Sequence, residues 1–214
     1  MDFFKCENNV VLPSCYWPPI EFFYVAITQG RISIEVNESF IKQTFRNRTQ
    51  IYGPNGKHDL VIPINKKSKD FKDFAKVEAK EGGGWKKNHW QSIQTAYGNA
   101  PFFEHFEMYI RSLYESSHNN LKDINELTLN LSLKLLQSKI EVHNTTNFVK
   151  SANGQIDLRE ELSPKRPSLC NWLETSYYQP HSFKHGFISN LSILDLLFNT
   201  GPESIQIIKK LKYI

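Results

Sequence analysis

The segment 10–36 is the sequence feature that most restricts the fold, because it reads as strand, loop, helix and strand. Residues 10–12 are an apolar run, residues 20 to about 28 follow a helical pattern after Pro18-Pro19, and residues 31–36 alternate apolar and polar. Proline is tolerated in a first helical turn, where its missing N–H would have no partner anyway. The segment therefore predicts a strand–helix–strand unit, from which parallel sheets are built.

The loops that follow the two predicted strands are the expected place for a ligand. In α/β sheets, ligands bind outside the carboxyl ends of the strands. Here those ends are the loop 14–17 and the segment 35–39. We therefore expect a site at this edge, with Tyr16 among its ligand-binding residues.

The rest of the chain adds a hairpin and a helical C-terminal part. The Asn55-Gly56 pair between two strand-like runs is a strong hairpin signal, and Pro63 puts the returning strand at an edge or near its end. We predict helices over 85–97, 102–114, 120–138, 192–198 and 203–211, and a strand within 140–149. The predicted fold class is α/β, with a mixed sheet that begins with the strand–helix–strand unit and the hairpin and is covered by helices; the alternative is α+β.

Length and composition limit the kind of protein. With 214 residues, 40% of them hydrophobic and 13% aromatic, we expect a single domain over 1–214 with a mobile loop at 151–168. No apolar run approaches the roughly 20 residues of a membrane span, and the N-terminal residues lack the pattern of a secretory signal. We expect a soluble, cytoplasmic protein.

Charge and cysteine usage narrow the partners. The net charge is +4 and the pI is about 8.8. Because the charge is spread along the chain, it favours a small anionic substrate over nucleic acid. Cys6, Cys15 and Cys170 are odd in number and lack metal-ligand spacing, so we expect reduced thiols. The sequence indicates no metal site and leaves the cofactor and the oligomeric state open.

Cations cluster between residues 40 and 52. If this segment is extended, Lys42, Arg46 and Arg48 share one face; if it begins as a helix, Lys42 and Arg46 meet one turn apart. Either geometry gathers cations that would bind a carboxylate or phosphate, with Asn47 between the two arginines. The competing interpretation is a solvated face with structural ion pairs.

The predicted helix that begins at Trp85 carries more functional side chains than packing requires. His89, between Trp85 and Trp90, is a candidate general base because the ordinary pKa of histidine is about 6.5. Tyr97 is a candidate to orient a substrate and Ser92 to bind it. The competing interpretation is a histidine held by hydrogen bonds within the core.

Other candidates carry weaker signals. Cys15 lies in a strand-end loop where a nucleophile would sit, but no base adjoins it in sequence, so a buried thiol fits better. Glu35 and Glu38 would suit an acid/base pair, whereas a hard cation needs more oxygen ligands than this segment offers. His181 and His185 are four residues apart in what reads as a loop, so paired metal ligation is not expected.

Asp195 stands inside the apolar run SILDLLF, with Asn199 one helical turn further on. A buried, unpaired carboxylate is costly. Asp195 is therefore expected either to face solvent or to pair with a cation such as Arg46 or Arg48, and we include both Asp195 and Asn199 among the ligand-binding candidates.

Several blocks of the sequence together resemble the WbqC-like family of bacterial proteins, in particular its shorter members from Bacteroidetes. The blocks are KQTFRNRTQIYGPNG, IPI, WKKNHWQSIQTAYGNAPFFE and LSILDLLFNTGPES, preceded by LPSCYWPPIEFF. The positions that match the family motifs are Lys42, Arg46, Asn47, Arg48, Trp85, His89, Trp90, Ser92, Tyr97, Ser192, Asp195, Asn199 and Gly201. Many longer members have His-Gln-Pro near the start where this chain has Ser14-Cys15-Tyr16, which removes one candidate catalytic histidine. They also carry an extra helix and strand where this chain has the loop at 151–168.

The resemblance implies a role in the synthesis of O-antigen or other surface polysaccharides, for which transfer of an amino acid or acyl group to a sugar has been suggested. The leading hypothesis is therefore a transferase acting on a sugar or nucleotide-sugar. His89 would be its base, Asn47 and Tyr97 would orient the substrate, and the three cations would hold an anionic group. The alternatives are a non-catalytic module that binds an anionic sugar or peptide and, less favoured, an RNA-binding protein.

Overall fold

Four parallel strands form the main sheet. A computed structural model describes residues 9–65, 71, 73–82, 84–148, 150 and 155–214. The strands are β1 (Val10–Pro13), β2 (Arg31–Glu35), β5 (Glu141–Asn144) and β6 (Ile156–Asp157), in the order β5-β2-β1-β6. Because all the pairings are parallel, the carboxyl ends of the four strands lie along one edge.

The first crossover is the predicted strand–helix–strand unit. Helix α1 (Ile20–Gln29) begins after Pro19, whose ψ of 161° is extended, and ends at Gly30. Gly30 takes a φ of 69° and donates its N–H to the Ala26 carbonyl at 3.0 Å, a helix ending that glycine adopts without strain. The predicted parallel pairing of β1 and β2 is confirmed.

The hairpin is present as a separate two-stranded sheet. Strands β3 (Arg48–Gly53) and β4 (Gly56–Val61) are antiparallel. Pro54 and Asn55 occupy the turn, and Gly56 follows with a φ of 95°. The residues before β3 are neither the extended strand nor the helix that we expected, because the chain runs through turns until it reaches Arg48.

Helices cover the sheet and form the C-terminal part. They are α2 (Trp85–Tyr97), α3 (Phe103–Glu115), α4 (Leu121–Leu135), α5 (Ser182–His185), α6 (Ile193–Thr200) and α7 (Ser204–Lys210), and two short strands, β7 (Cys170–Asn171) and β8 (Lys212–Tyr213), pair near the end. Every residue of α6 is buried, as in a helix at the centre of a core. The α/β class is confirmed, with the parallel and antiparallel pairings in different sheets.

The segment predicted as a loop at 151–168 contributes to the sheet and to the core. Its residues Ile156–Asp157 form β6, which pairs with β1, and Leu158 and Leu162 are buried. Positions 151–154 lie outside the described residues. Because the segment contains few apolar residues, its pattern did not indicate a strand, and β6 is only two residues long.

Within the described parts of the chain, no helix combines the length and apolar character needed to cross a bilayer.

Gly201, at the end of α6, should tolerate no side chain. It has a φ of 51°, and an added Cβ would overlap the ring of Phe102. Gly30 also has a positive φ, but a Cβ there would meet no atom within 4 Å, so Gly30→Ala involves no overlap. Its ψ of −17° lies in the left-handed helical region, whereas the ψ of −124° at Gly201 does not, so the backbone cost is also larger at Gly201. We expect Gly201→Ala to lower the free energy of unfolding by about 1–3 kcal/mol more than Gly30→Ala does, as measured by urea denaturation. Equal losses would mean that neither the overlap with Phe102 nor the backbone conformation of Gly201 adds a cost.

Candidate functional site

A cleft of about 680 Å³ opens where β2 and β6 end at the carboxyl edge of the parallel sheet. We call it the charged cleft. Its lining residues are Glu38, Ile41, Arg46, Phe148, Lys150, Gln155, Asp157, Arg159, Glu160 and Glu161. Its position is the one in which α/β folds usually bind ligands, and its size is within the usual range of small-molecule sites.

Glu38 and Arg46 form a buried, two-pronged ion pair in the wall of the cleft. The Arg46 guanidinium donates from Nε to Glu38 Oε1 at 2.5 Å and from Nη2 to Glu38 Oε2 at 2.6 Å. The side chain of Arg46 is only 2% exposed and that of Glu38 only 6%. Burial raises the pKa of Glu38 above its usual value, although the hydrogen bonds from Arg46 oppose the shift. The pair thus presents a carboxylate that is oriented by two bonds and more basic than usual.

Arg159 links two further carboxylates at the ends of different strands. It donates to Glu35 Oε2 at 2.9 Å and to Asp157 Oδ2 at 2.5 Å and Oδ1 at 2.9 Å. Burial would raise the pKa of Asp157, but the hydrogen bonds from Arg159 outweigh it and hold that pKa below its usual value. The ring of Phe148, 51% exposed, lies 5.2 Å from the guanidinium carbon and gives the cleft an apolar surface.

The predicted cation face is not formed, and that expectation was wrong. Arg46 lines the charged cleft, but Lys42 is exposed, with Nζ 5.5 Å from the Phe71 ring. Arg48 pairs with Asp59 across the hairpin at 3.2 Å. The turns that precede β3 remove the period of two on which the shared face depended.

Asn47 is buried between the loop and the hairpin. Its Nδ2 donates to the Ile62 carbonyl at 2.9 Å, and Ile62 N donates to the Asn47 carbonyl at 2.8 Å. Its Oδ1 is buried and has no donor among the described residues. These contacts place Asn47 in the support of the hairpin, and it does not line the charged cleft.

His89 belongs to a chain of hydrogen bonds inside the protein. His89 Nε2 contacts the Val61 carbonyl at 3.2 Å, and Nδ1 contacts the Tyr16 hydroxyl at 3.0 Å. Since a carbonyl only accepts, Nε2 carries the hydrogen and Nδ1 accepts from Tyr16. The Tyr16 oxygen is 2.8 Å from the Tyr114 hydroxyl, which accepts from Trp17 Nε1 at 2.9 Å. Every side chain in this series of hydrogen bonds has a partner, and each one donates to the next, from Trp17 through Tyr114, Tyr16 and His89 to the Val61 carbonyl.

This geometry favours the structural interpretation of His89 over the catalytic one. The ring is 6% exposed, and burial lowers the pKa of His89 to about 4. The loop 14–17 contacts both the α2 helix and the residue before Arg46, because Tyr16 N also donates to the Phe45 carbonyl at 2.8 Å. They meet in the core, however, and His89 does not line the charged cleft.

Asp195 is fully buried, and neutral groups surround it. It accepts hydrogen bonds from the Tyr97 hydroxyl at 2.9 Å, the Tyr177 hydroxyl at 2.6 Å and Gln179 Nε2 at 3.0 Å. The expectation of solvent exposure or of a cation partner was therefore wrong. Three neutral donors provide hydrogen bonds to the carboxylate, which is shielded from water. Burial raises the pKa of Asp195 to about 6.

The partners of Asp195 tie several elements together. Tyr97 Oη also accepts from Tyr52 N in the hairpin at 3.0 Å. Asn199 Nδ2 donates to the Asp195 carbonyl at 2.8 Å, while its Oδ1 is buried without a donor among the described residues. Tyr97, Asp195 and Asn199 thus connect the hairpin, α2 and α6.

The remaining candidates lie elsewhere. Ser92 lines a groove between the hairpin turn and α2. Cys15 is buried, and burial raises the pKa of its thiol to about 12, which disfavours a thiolate nucleophile. His181 precedes and His185 ends the short helix α5, which we did not predict from the sequence, and both rings lie beside Tyr52. No group of three or more His, Cys, Asp and Glu side chains in the described ranges is arranged to hold a metal ion.

Sequence reasoning missed Asp157 and Arg159 altogether. Both lie in the segment that was predicted as a loop. The signal that would have found them is the short alternation Ile156-Asp157-Leu158-Arg159, which puts the two charged residues on one face of an extended chain.

We expect the buried His89 to make stability depend on pH. Its pKa is about 4 in the folded protein against 6.5 ordinarily, so its contribution is complete above pH 6.5 and is lost as the pH falls towards 4. At about 1.4 kcal/mol per pKa unit, the difference between the two pKa values corresponds to roughly 3 kcal/mol of unfolding free energy. Between pH 7.5 and 4.5, His89→Gln should therefore lose less unfolding free energy than the wild type in urea titrations. The control is His118→Gln, at an exposed position, and a His89→Gln profile parallel to the wild type would contradict the assignment.

We expect Asp195 to make stability depend on pH in the opposite direction to His89. Its pKa rises from 3.8 to about 6 on folding, so the folded state is favoured below pH 4 and loses stability as the pH rises through 6. The free energy of unfolding of Asp195→Asn, minus that of the wild type, should increase by up to roughly 3 kcal/mol between pH 4 and 7. Asp123→Asn, at an exposed position of α4, is the control. A difference that does not vary with pH would show that Asp195 is not perturbed.

Comparison with known proteins places the chain in a family. The model of the WbqC-like protein family matches residues 14–166 and 169–207, a span that includes the whole charged cleft. A protein of Mycobacterium tuberculosis described as "Uncharacterized protein Rv1507c" is 22% identical over 222 residues, which cover 92% of this chain and 96% of that protein. No solved structure matches the chain. On the extent of the family match, this chain belongs to the WbqC-like protein family.

Proposed function

We propose that this protein is a transferase that adds an amino-acid or acyl group to a sugar or nucleotide-sugar bound in the charged cleft, in the synthesis of a bacterial surface polysaccharide. The observation that carries the proposal is the Glu38 carboxylate, which is oriented by Arg46, has a raised pKa and lies in the wall of a cleft large enough for such a ligand. A carboxylate with these properties suits a general base.

The composition of the cleft suits a polyhydroxylated ligand. Carboxylates accept hydrogen bonds from hydroxyl groups, guanidinium groups donate to oxygen, and the exposed ring of Phe148 offers a flat apolar surface to a sugar ring. The innermost charges are three carboxylates and two guanidinium groups, already paired with one another. This balance favours a neutral polar group in the depth of the cleft, and a phosphate would lie nearer Lys150.

In the proposed reaction, Glu38 accepts the proton from an acceptor hydroxyl or amine as that group attacks the acyl carbonyl carbon. The bond to the donor's leaving group breaks and the new ester or amide forms. Arg46 acts by holding the carboxylate at the attacking atom. Glu38 thus takes the role that the sequence suggested for His89, since His89 has no free ring nitrogen.

A second candidate is a non-catalytic module that binds a sugar ligand with the same surface. The ion pairs of the cleft favour this binding function, because Arg159 already pairs with both Glu35 and Asp157. A set of charges that is already in place serves ligand binding as well as catalysis. The two functions differ in whether Glu38 must lose and gain a proton.

Glu38→Gln separates the two functions. Glutamine keeps one of the two oxygen acceptors for Arg46, replaces the other with an NH2 group that only donates, and cannot act as a base. Transfer from an acyl donor should therefore fall by about 10²- to 10⁴-fold, while nucleotide-sugar affinity should fall much less; circular dichroism checks that the variant is folded. Binding is first sought by thermal unfolding with a panel of nucleotide-sugars, since a ligand at a hundred times its Kd adds about 2.7 kcal/mol. Transfer is then followed by mass spectrometry of the sugar.

The control is Glu81→Gln, an exposed position outside the charged cleft. Binding without transfer in the wild type would support the non-catalytic module. Transfer that survives Glu38→Gln would refute the base assignment, and the absence of any nucleotide-sugar or sugar binding would refute the proposed ligand.

A further inference from the structure

A second recess of the surface lies between the tip of the β3–β4 hairpin and the α2 helix. It has a volume of about 410 Å³, and we call it the hairpin groove. Residues 51 and 53–58 of the hairpin form one side, and four residues of α2 form the other. None of these residues lines the charged cleft, so the two recesses are separate. The volume of the hairpin groove is within the usual range of ligand sites.

The α2 side of the hairpin groove consists of four neutral polar residues, Asn88, Gln91, Ser92 and Thr95. They are three or four positions apart, so they form one stripe along the helix. Within the part of the chain that the structure describes, the side chains of Asn88, Gln91 and Ser92 hydrogen-bond to no other residue. Thr95 Oγ1 donates to the Gln91 carbonyl at 2.8 Å, but its oxygen can still accept. The stripe therefore has donors and acceptors available for a ligand.

The spacing of the stripe matches that of an extended peptide chain. Asn88 and Ser92, like Gln91 and Thr95, are about 6 Å apart along the helix axis. In an extended chain, peptide groups that point to the same side recur about every 6.4–6.8 Å. The side-chain amides of Asn88 and Gln91 each combine N–H donors with a carbonyl acceptor, which is the complement of a peptide group. The whole stripe is about 10 Å long, the length of about three extended residues.

The hairpin side of the groove is open to the main chain of such a peptide. Gly53 and Gly56 have no side chains, so a ligand can approach the backbone of the hairpin closely. Among the described residues that line the groove there is no Phe, Tyr or Trp, and a nucleobase would therefore find no large ring on which to stack.

Charge also limits the ligand of the hairpin groove. Lys57 lines it at an exposed position, and this lysine has no ion-pair partner among the described residues. No Asp or Glu is among the described residues that line the groove. The groove therefore favours a neutral or acidic ligand over a basic one.

We propose that the hairpin groove binds an extended segment of a partner protein, neutral or acidic in charge. Asn88 and Gln91 exchange hydrogen bonds with its peptide groups, and Lys57 contacts an acidic side chain. The segment must be unstructured before it binds, because the peptide groups of a helix or an inner strand are already paired. The inference does not depend on the proposed function, since the groove shares no residue with the charged cleft.

The test is an NMR titration of the intact, isotope-labelled protein with the peptide acetyl-Ala-Ala-Glu-Ala-Ala-amide. We expect the side-chain amide signals of Asn88 and Gln91 to shift as the peptide binds. A peptide of the same sequence with N-methylated internal amides keeps the charge but lacks the N–H donors. It should bind at least tenfold more weakly.

Two substitutions locate the binding. The φ of Gly53 is outside the left-handed region, and a Cβ there would meet only the Gly56 oxygen at 3.8 Å and His58 Cβ at 3.9 Å. The side chain of Gly53→Leu would therefore enter the groove without backbone strain, and we expect it to weaken peptide binding at least tenfold. Gln91→Ala should weaken binding at least threefold. The matched control is Gln94→Ala, at an exposed position of α2 outside the groove, which should bind like the wild type. Circular dichroism confirms that each variant is folded.

The results distinguish this inference from the proposed function. The absence of any shift at millimolar peptide overturns the inference, even if nucleotide-sugars bind to the charged cleft. Equal binding of the N-methylated peptide also overturns it, because the groove would then not recognise the main chain. Adenosine or glucose that binds more tightly than the peptide would likewise overturn the assigned ligand class. Binding that is weakened in Gly53→Leu and Gln91→Ala but not in Gln94→Ala supports the inference, whatever Glu38→Gln does to transfer.

Discussion

The parallel alignment of β2, β1 and β6 is the constraint on which the candidate site depends. Glu35 ends β2 and Asp157 ends β6, with β1 between them. Arg159 bonds to both carboxylates. A shift of one residue in either strand would turn these side chains to the other face of the sheet and leave buried charges without partners. The register of the strands and the charge pairing in the cleft therefore require each other.

Local structure was largely predictable from the sequence, whereas the candidate site was only partly so. The strand–helix–strand unit, the hairpin and the α2 helix follow from periodicity and from glycine and proline positions, which act over a few residues. The partners of His89 and Asp195 are fixed by contacts up to 98 residues apart, which no short-range pattern encodes. Arg46 was predicted as a residue of the site, but its pairing with Glu38 depends on turns, which leave no periodic pattern in the sequence.

Two networks of hydrogen bonds with neutral donors organise the interior. One runs from Trp17 through the tyrosine hydroxyls to His89, and the other gathers three donors around Asp195. Both use long-range bonds to groups that would be costly to bury alone. Since each network accepts one arrangement of donors and acceptors, they specify how the helices meet the hairpin. This specificity accounts for polar residues in an otherwise apolar core better than a catalytic role does.

Two of the three ion pairs of the charged cleft differ greatly in the length of chain that separates their members. Glu38 and Arg46 are eight residues apart, whereas Glu35 and Arg159 are 124 apart. Closing the longer loop costs more entropy. A nascent chain that has emerged only as far as α4 can form the first pair but not the second. The cleft is therefore complete only after residues 155–161 have been synthesised, because five of its lining residues lie in that segment.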